Sequence, residues 1–246
     1  MICVIPAAGR GIRLRPMTYP LPKSLVKVND KPLIFYVFNK IKELGVSQVI
    51  MIVNHHKEKI IDYLGRNYLG IDVEYVIQEK LDGIAKAVKL VEPYIGKDFF
   101  VMLGDEIYDT EHSGFSNFVK KKDLDCSFCM MKTETEQLIR NNYSIEMKGE
   151  KVIRLIEKPK EIRSSNFGVG TYFFSKNIFD YIDNTESSIN NEVNLTDVMQ
   201  TMIDNDRKVS PFFLEGRYVN VNSSEELEQA RRIISQIEQR QNTIIK

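Results

Sequence analysis

Ile2-Cys3-Val4-Ile5-Pro6-Ala7-Ala8-Gly9-Arg10-Gly11-Ile12-Arg13-Leu14-Arg15-Pro16 runs from a short apolar stretch straight into a loop of glycine and arginine. Residues 2–5 have the length and β-branched character of a buried strand. Outward from it, the chain alternates. Residues 32–44 read as a helix, with Pro32 at its opening and Gly45 placed to cap its end. Residues 49–53 form a continuous apolar run, as in a parallel strand covered on both faces. A helical pattern at 57–64, a strand at 73–77 and a helix at 84–91 follow. A strand at 99–103 then ends in Gly104-Asp105. Strand and helix alternating at this spacing imply βαβ units, hence an α/β fold with a mainly parallel sheet flanked by helices.

The second half is more mixed. Residues 127–131, 144–147, 152–156, 169–174 and 218–221 look like strands, with a polar link at 133–137. Residues 177–182 and 195–203 look helical. Ser223-Ser224-Glu225-Glu226 supplies a capping residue and early acids to a last helix, whose Leu227, Ala230, Ile233, Ile234 and Ile237 share one apolar face. That face packs on the domain or on another subunit, so a homo-oligomer is one expectation. No repeat or flexible linker divides the 246 residues, and one domain is expected.

Composition narrows the function classes. Apolar residues are 43% and charged residues 28%, too apolar for disorder. The 34 basic and 34 acidic side chains cancel, which removes any global attraction to nucleic acid or a membrane. The longest apolar run, 33–38, is far too short to span a bilayer. The N-terminus lacks a signal peptide's basic region, and three cysteines build no disulfide framework. A cytoplasmic globular protein is expected. Cys126-x-x-Cys129 lies in an apolar strand-like run and reads as core packing rather than a zinc site. His55 and His56 read as a solvated loop.

Chemistry should lie where loops leave the carboxyl ends of parallel strands. Gly9 and Gly11 let backbone N–H groups approach an anion, because no Cβ intervenes. Residues 1–29 hold Arg10, Arg13, Arg15, Lys23 and Lys27 and no acid. Charge runs are usually solvated faces, but these cations share a glycine-rich loop at the ligand edge, which suits a triphosphate. The dinucleotide fingerprint fails at Leu14, and no Walker Gly-Lys-Ser/Thr follows.

Residues 7–18 followed by Pro22-Lys23 resemble the signature of the sugar-phosphate nucleotidylyltransferases, and later blocks match in that family's order. Residues 78–87, beginning Gln78-Glu79-Lys80-Leu81-Asp82-Gly83, resemble its nucleobase-reading segment. Residues 100–105 resemble its metal-carboxylate strand. Glu157-Lys158-Pro159 and Val169-Gly170-Thr171 resemble its sugar-phosphate pocket. Residues 192–197 and 218–227 resemble two further blocks, the last carrying a second metal ligand. The resemblance covers 2 to about 230, and its wording lies nearest to enzymes joining glucose 1-phosphate to dTTP or UTP.

The resemblance implies a Rossmann-like sheet with a nucleotide-binding half (1–110), a sugar-phosphate half (111–222) and a C-terminal helix (223–246). It implies transfer of a nucleotidyl group from a nucleoside triphosphate to a sugar 1-phosphate, with Mg²⁺ as cofactor; dTTP or UTP with glucose 1-phosphate is the first expectation, and another pair using CTP, GTP or N-acetylglucosamine 1-phosphate is the alternative. Arg13 and Lys23 would be catalytic. Ala7, Ala8, Gly9, Gly11, Arg13, Gln78, Gly83 and Asp105 would hold the nucleotide. Tyr143, Glu157, Lys158, Val169 and Gly170 would hold the sugar phosphate, and Asp105 with Asn220 the metal, with Asn222 as the alternative to Asn220. Three positions depart from the pattern: Ile12 replaces a threonine, Ser144 a glycine and Asn220 a carboxylate. A glycosyltransferase on a similar sheet is a competing expectation, although such enzymes usually carry Asp-x-Asp where this chain has Gly104-Asp105-Glu106. A non-catalytic sugar-nucleotide-binding subunit is another; pyrophosphate release separates the three.

Overall fold

In a computed structural model, residues 1–186 and 192–244 are described. First come β1 (Ile2–Pro6), a hairpin of β2 (Lys27–Val28) and β3 (Lys31–Pro32), and helix α1 (Leu33–Glu43). The alternation continues through β4 (Gln48–Val53), α2 (Lys57–Leu64), β5 (Asn67–Tyr68), β6 (Ile71–Ile77), α3 (Ile84–Lys89) and β7 (Asp98–Met102). The second half begins with β8 (Glu106–Asp109), α4 (Ser113–Lys122), β9 (Cys126–Lys132), α5 (Glu136–Asn141), β10 (Tyr143–Lys148) and β11 (Lys151–Glu157). It ends with β12 (Asn166–Ser175), α6 (Ile178–Asn184), α7 (Leu195–Asp204), β13 (Val209–Phe213), β14 (Arg217–Asn220) and α8 (Ser224–Ile244). Positions 245 and 246 of the expected tail lie outside the described residues.

One mixed sheet carries ten strands, in the order β11-β10-β12-β7-β1-β4-β6-β5, with β9 on β12 and β13 on β9. β1 runs parallel to β4 and β7, and β4 parallel to β6, which is the parallel core expected from the βαβ spacing. β12 is antiparallel to β7, β9 and β10 and joins the two halves. Because side chains alternate along a strand, Cys3 and Ile5 enter one apolar layer and Val4 the other. α1, α2 and α4 cover the first layer, and α3, α6 and α7 the second. Cys126 and Cys129, three apart on β9, fall in opposite layers and cannot share an ion.

Gly45, at φ 69°, follows the end of α1 as anticipated. The apolar face of α8 packs within the chain, where Leu227, Ala230 and Ile233 meet Leu14, Val26 and Val221. That contact seats the loop bearing Lys23 against the segment after β14. The sequence reading passed over β8, β13, α4, α5 and the β2–β3 hairpin. β8 and β14 form a separate two-stranded ladder between residues more than a hundred apart, pairing Glu106 with Asn220. No described helix is long and apolar enough to cross a membrane.

Candidate active site

The carboxyl ends of β1, β4, β6 and β7 face one edge of the sheet, and the loops leaving β1, β6 and β7 help enclose a cavity of about 460 Å³. Its wall includes Ala7, Ala8, Gly9, Gly11, Arg13, Lys23, Gln78, Gly83 and Asp105, the whole nucleotide set anticipated from sequence. Ala7 N–H is held by Ile52 O at 2.8 Å, which ties the first loop to β4. Gly11 has φ 59°, and the Thr18 hydroxyl donates to its carbonyl at 2.7 Å. The turn at Gly11 therefore requires glycine for its backbone and brings Arg13 round towards Lys23.

At the floor, Lys23 Nζ donates to Asp105 Oδ2 and, at 2.7 Å, to Asn222 Oδ1. Arg13 Nη2 reaches the same Asn222 oxygen at 2.7 Å. Two cations from one loop thus converge on one amide oxygen and one carboxylate. Asn222 is fixed in turn: its backbone N–H donates to Glu226 Oε2 at 2.8 Å in the first turn of α8, and its Nδ2 to Asn220 Oδ1 at 2.6 Å. The two asparagines considered for the metal differ in where they lie. Asn222 lines the cavity beside Asp105, whereas Asn220 does not and its amide oxygen is taken up by Asn222. β14 ends at Asn220, and the chain bends into the cavity two residues later.

The segment expected to read the base is built on Gly83, which has φ 111° and lies against the backbone of Val193. Gln78 is buried, with its Nε2 3.4 Å from Asp82 Oδ1 and its carbonyl held by Asn54 Nδ2. Glu192, Leu81 and Ile84 complete this wall. They were not singled out from sequence, where only their nearness to residues 78–83 or 192–197 could have marked them.

The sugar-phosphate set is placed differently, and none of it lines this cavity. Glu157 ends β11 and accepts the Thr196 hydroxyl at 2.7 Å; burial pushes its carboxyl up. The Lys158 ammonium is exposed, 3.8 Å from Glu157 Oε1. Tyr143 is a buried ring over Gly168, where a Cβ would lie 1.8 Å from its Cζ, and its hydroxyl has no protein partner among the described residues. Val169 packs in the core, and Gly170 N–H is taken by Glu106. The Val169 side chain and the Gly170 N–H are thus already engaged within the protein.

Glu106 is the polar residue that local sequence gave no reason to notice. It is 1% exposed and accepts Tyr108 OH, Tyr218 OH at 2.6 Å and Gly170 N–H at 2.9 Å. Burial, with the charge of Asp105 beside it, pushes its carboxyl up to about 7. Proton accounting points the same way. Tyr218 oxygen also lies 2.9 Å from Asn142 Oδ1, whose own Nδ2 is committed to Leu138 O. A protonated Glu106 can donate to Tyr218 and leave the tyrosine proton for Asn142. Nearby His112 is fully buried, and burial pushes it down to about 3.

These two groups oppose each other in acid. Glu106 binds more protons folded than unfolded between about 4.5 and about 7, so its contribution to stability falls as pH rises through that window. His112 binds more protons unfolded than folded between about 3 and 6.5, so its contribution is lost as pH falls. Glu106→Gln removes the first effect alone. Urea unfolding of nucleotide-free protein should show the variant gaining on the parent as pH rises from 4.5 to 7.5, by up to about 3 kcal/mol. A pH-independent difference would remove the raised carboxyl from the account.

Among the described residues no three His, Cys, Asp or Glu side chains converge as a ready metal cage. Asp105 and Asn222 offer two hard oxygens at the cavity floor, which suits a cation that takes its other ligands from substrate phosphates and water, the habit of Mg²⁺.

A family model described as nucleotidyl transferase matches residues 2–234. The chain is 27% identical over 230 residues to UTP–glucose-1-phosphate uridylyltransferase AglF of Haloferax volcanii, covering 94% of this chain and 95% of that one. It is 34% identical over 210 residues to the bifunctional protein GlmU of Methanococcus maripaludis, covering 83% of this chain and 47% of that one. The chain thus spans about half the length of such bifunctional relatives. In three dimensions it is similar to a UDP-glucose pyrophosphorylase solved with UDP-glucose, with TM-score 0.86, 22% identity and coverage of 96% of this chain and 98% of that one. That likeness concerns the fold.

Proposed function

The chain belongs to the nucleotidyl transferase family, and on that premise we propose that it transfers a nucleotidyl group from UTP or dTTP to glucose 1-phosphate, releasing pyrophosphate. The observation that carries this reading is the convergence of Arg13 and Lys23 on Asn222 and Asp105, inside a cavity walled by a glycine loop and a base-reading segment. The relative of nearly equal length is a UTP–glucose-1-phosphate uridylyltransferase, which supports this pair and a place in nucleotide-sugar synthesis.

A sugar 1-phosphate oxygen attacks the α-phosphorus, a new P–O bond forms, and the bond to the β-phosphate breaks with its electrons on pyrophosphate. The attacking phosphate has a second pKa of about 6, so it needs no general base at neutral pH. What remains for the protein is alignment and charge neutralisation. A bound triphosphate offers Arg13 and Lys23 stronger anionic partners than an amide oxygen. Their transfer to the phosphates would leave Asp105 and Asn222 as the two oxygens able to hold Mg²⁺, which would supply charge neutralisation on the phosphates. Glu157, the last residue of β11, and Lys158 after it would receive the sugar phosphate. Five triphosphates tested against a panel of sugar 1-phosphates, reading pyrophosphate, check the proposal; no release from any pair would overturn it.

The metal pair gives a sharper expectation. Asn222→Ala should raise the Mg²⁺ concentration for half-maximal rate by roughly tenfold, the lower end of what metal-site partners cost. Asn222→Asp should lower it, because a carboxylate adds charge. Asn220→Ala should shift it only slightly. A titration in which Asn220→Ala moves the curve and Asn222→Ala does not would restore Asn220.

A further inference from the structure

We propose that Glu106 is a positioning residue for the metal-binding pair, acting as a buried strut that locks Asp105 and Asn222 in register with the sugar-phosphate half. The proposal rests on the reading of Asp105 and Asn222 given above. Glu106 touches no cavity space, yet it bonds to three strands at once: Tyr108 on its own β8, Tyr218 on β14 and Gly170 on β12. Each contact bears on a different part of the site.

Through Tyr218, the carboxylate holds β14 against β8, and Val221 N–H donates to Asp105 O at 2.9 Å just beyond. Asn222 hangs from the end of that ladder. Through Gly170, it holds β8 to β12, the strand joining the nucleotide half to the rest of the sheet. Glycine is required there. A Cβ on residue 170 would stand 2.4 Å from Glu106 Oε2 and 2.6 Å from Leu103 Cγ. The chain therefore gives up a side chain on β12 to let a carboxylate reach backbone, and Leu103 N–H returns a 2.8 Å bond to Gly170 O. A residue serving packing alone would be apolar at this depth, since a buried carboxyl is costly unless its partners are fixed. Partners that orient metal ligands from behind typically cost 10–100-fold in metal affinity or activity when removed.

The test uses the full chain, with Mn²⁺ as probe of the metal pair. Mn²⁺ affinity is measured by electron paramagnetic resonance with a non-hydrolysable triphosphate analogue, alongside steady-state turnover and Tm. Tyr218→Phe removes the hydroxyl that meets Glu106 and little bulk, and should weaken Mn²⁺ roughly two- to tenfold. Glu106→Ala should weaken it roughly ten- to a hundredfold and lower kcat with little change in KM for the triphosphate. Glu106→Gln, which keeps an acceptor and the volume, should recover most of that loss. A strut with a purely structural role would lower Tm while leaving Mn²⁺ affinity and kcat at parental values well below Tm. That result in Tyr218→Phe, which keeps the fold, overturns the proposal even if Glu106→Ala does not fold. Mn²⁺ affinity is read without turnover, so a wild-type enzyme inactive on every substrate pair would overturn the functional reading and leave this measurement standing.

Discussion

Lys23→Ala is expected to lower kcat by about 10²–10³, the usual loss when one preorganised charge is removed from a transition state. Its ammonium is mostly shielded, with a side chain 16% exposed, and bonds both Asp105 and Asn222. In such surroundings a charge acts through a lower effective dielectric than in water, and no solvent reorganises when negative charge builds up on the phosphates. Arg13 reaches the same amide oxygen from the more exposed side of the loop, so Arg13→Ala should cost less. The loss belongs to kcat rather than to folding. Lys23 sits in a short turn, residues Lys23–Leu25, and the apolar anchors of that loop are Leu14 and Val26. Circular dichroism and Tm should therefore stay close to parental values. Lys23→Arg keeps the charge but presents a planar fork in place of a compact ammonium, and should recover only part of the rate. Steady-state pyrophosphate release decides. Near-normal turnover by Lys23→Ala would remove Lys23 from the mechanism.

The parallel half of the sheet and its ligand edge were legible because their signals are local. The runs that became β1, β4 and β7 are apolar throughout, as buried parallel strands must be, and Gly11 and Asp105 sit where such strands end. The nucleotide cavity followed from those positions and from ordered resemblance. The remainder depends on pairing at long range. Nothing around Glu106 announces that it is buried, because its partners are Gly170 and Tyr218, 64 and 112 residues away. The choice between Asn220 and Asn222 was open for the same reason. Both point alike in a strand, and only the end of β14 and the hold of Glu226 on Asn222 decide which faces the cavity. α4 was hidden by its sequence, since Lys120, Lys121 and Lys122 mask the short apolar face formed by Phe115 and Val119.

Gly83→Ala is expected to destabilise the protein by about 2–6 kcal/mol, combining a backbone conformation unsuited to a side chain with overpacking. Residue 83 has φ 111°, a region that alanine rarely adopts, and a Cβ there would lie 2.6 Å from Val193 O and 2.8 Å from Val193 N. Both neighbours are backbone, so no side-chain rotation relieves the clash. Ala85 N–H also donates to Val193 O at 3.1 Å, which ties the start of α3 to the same carbonyl. Relief requires moving residues 81–85 away from Val193, and Leu81, Gly83 and Ile84 are part of the cavity wall. The variant should therefore lose triphosphate binding along with stability, and KM for the triphosphate should rise more than KM for the sugar phosphate. Gly9→Ala supplies the internal contrast. Gly9 lines the same cavity, but a Cβ on it meets nothing within 4 Å, so its stability should stay near the parent. Urea midpoints of the two variants test the distinction. If Gly83→Ala unfolds at the parental midpoint, the close approach to Val193 does not hold residues 81–85 in place.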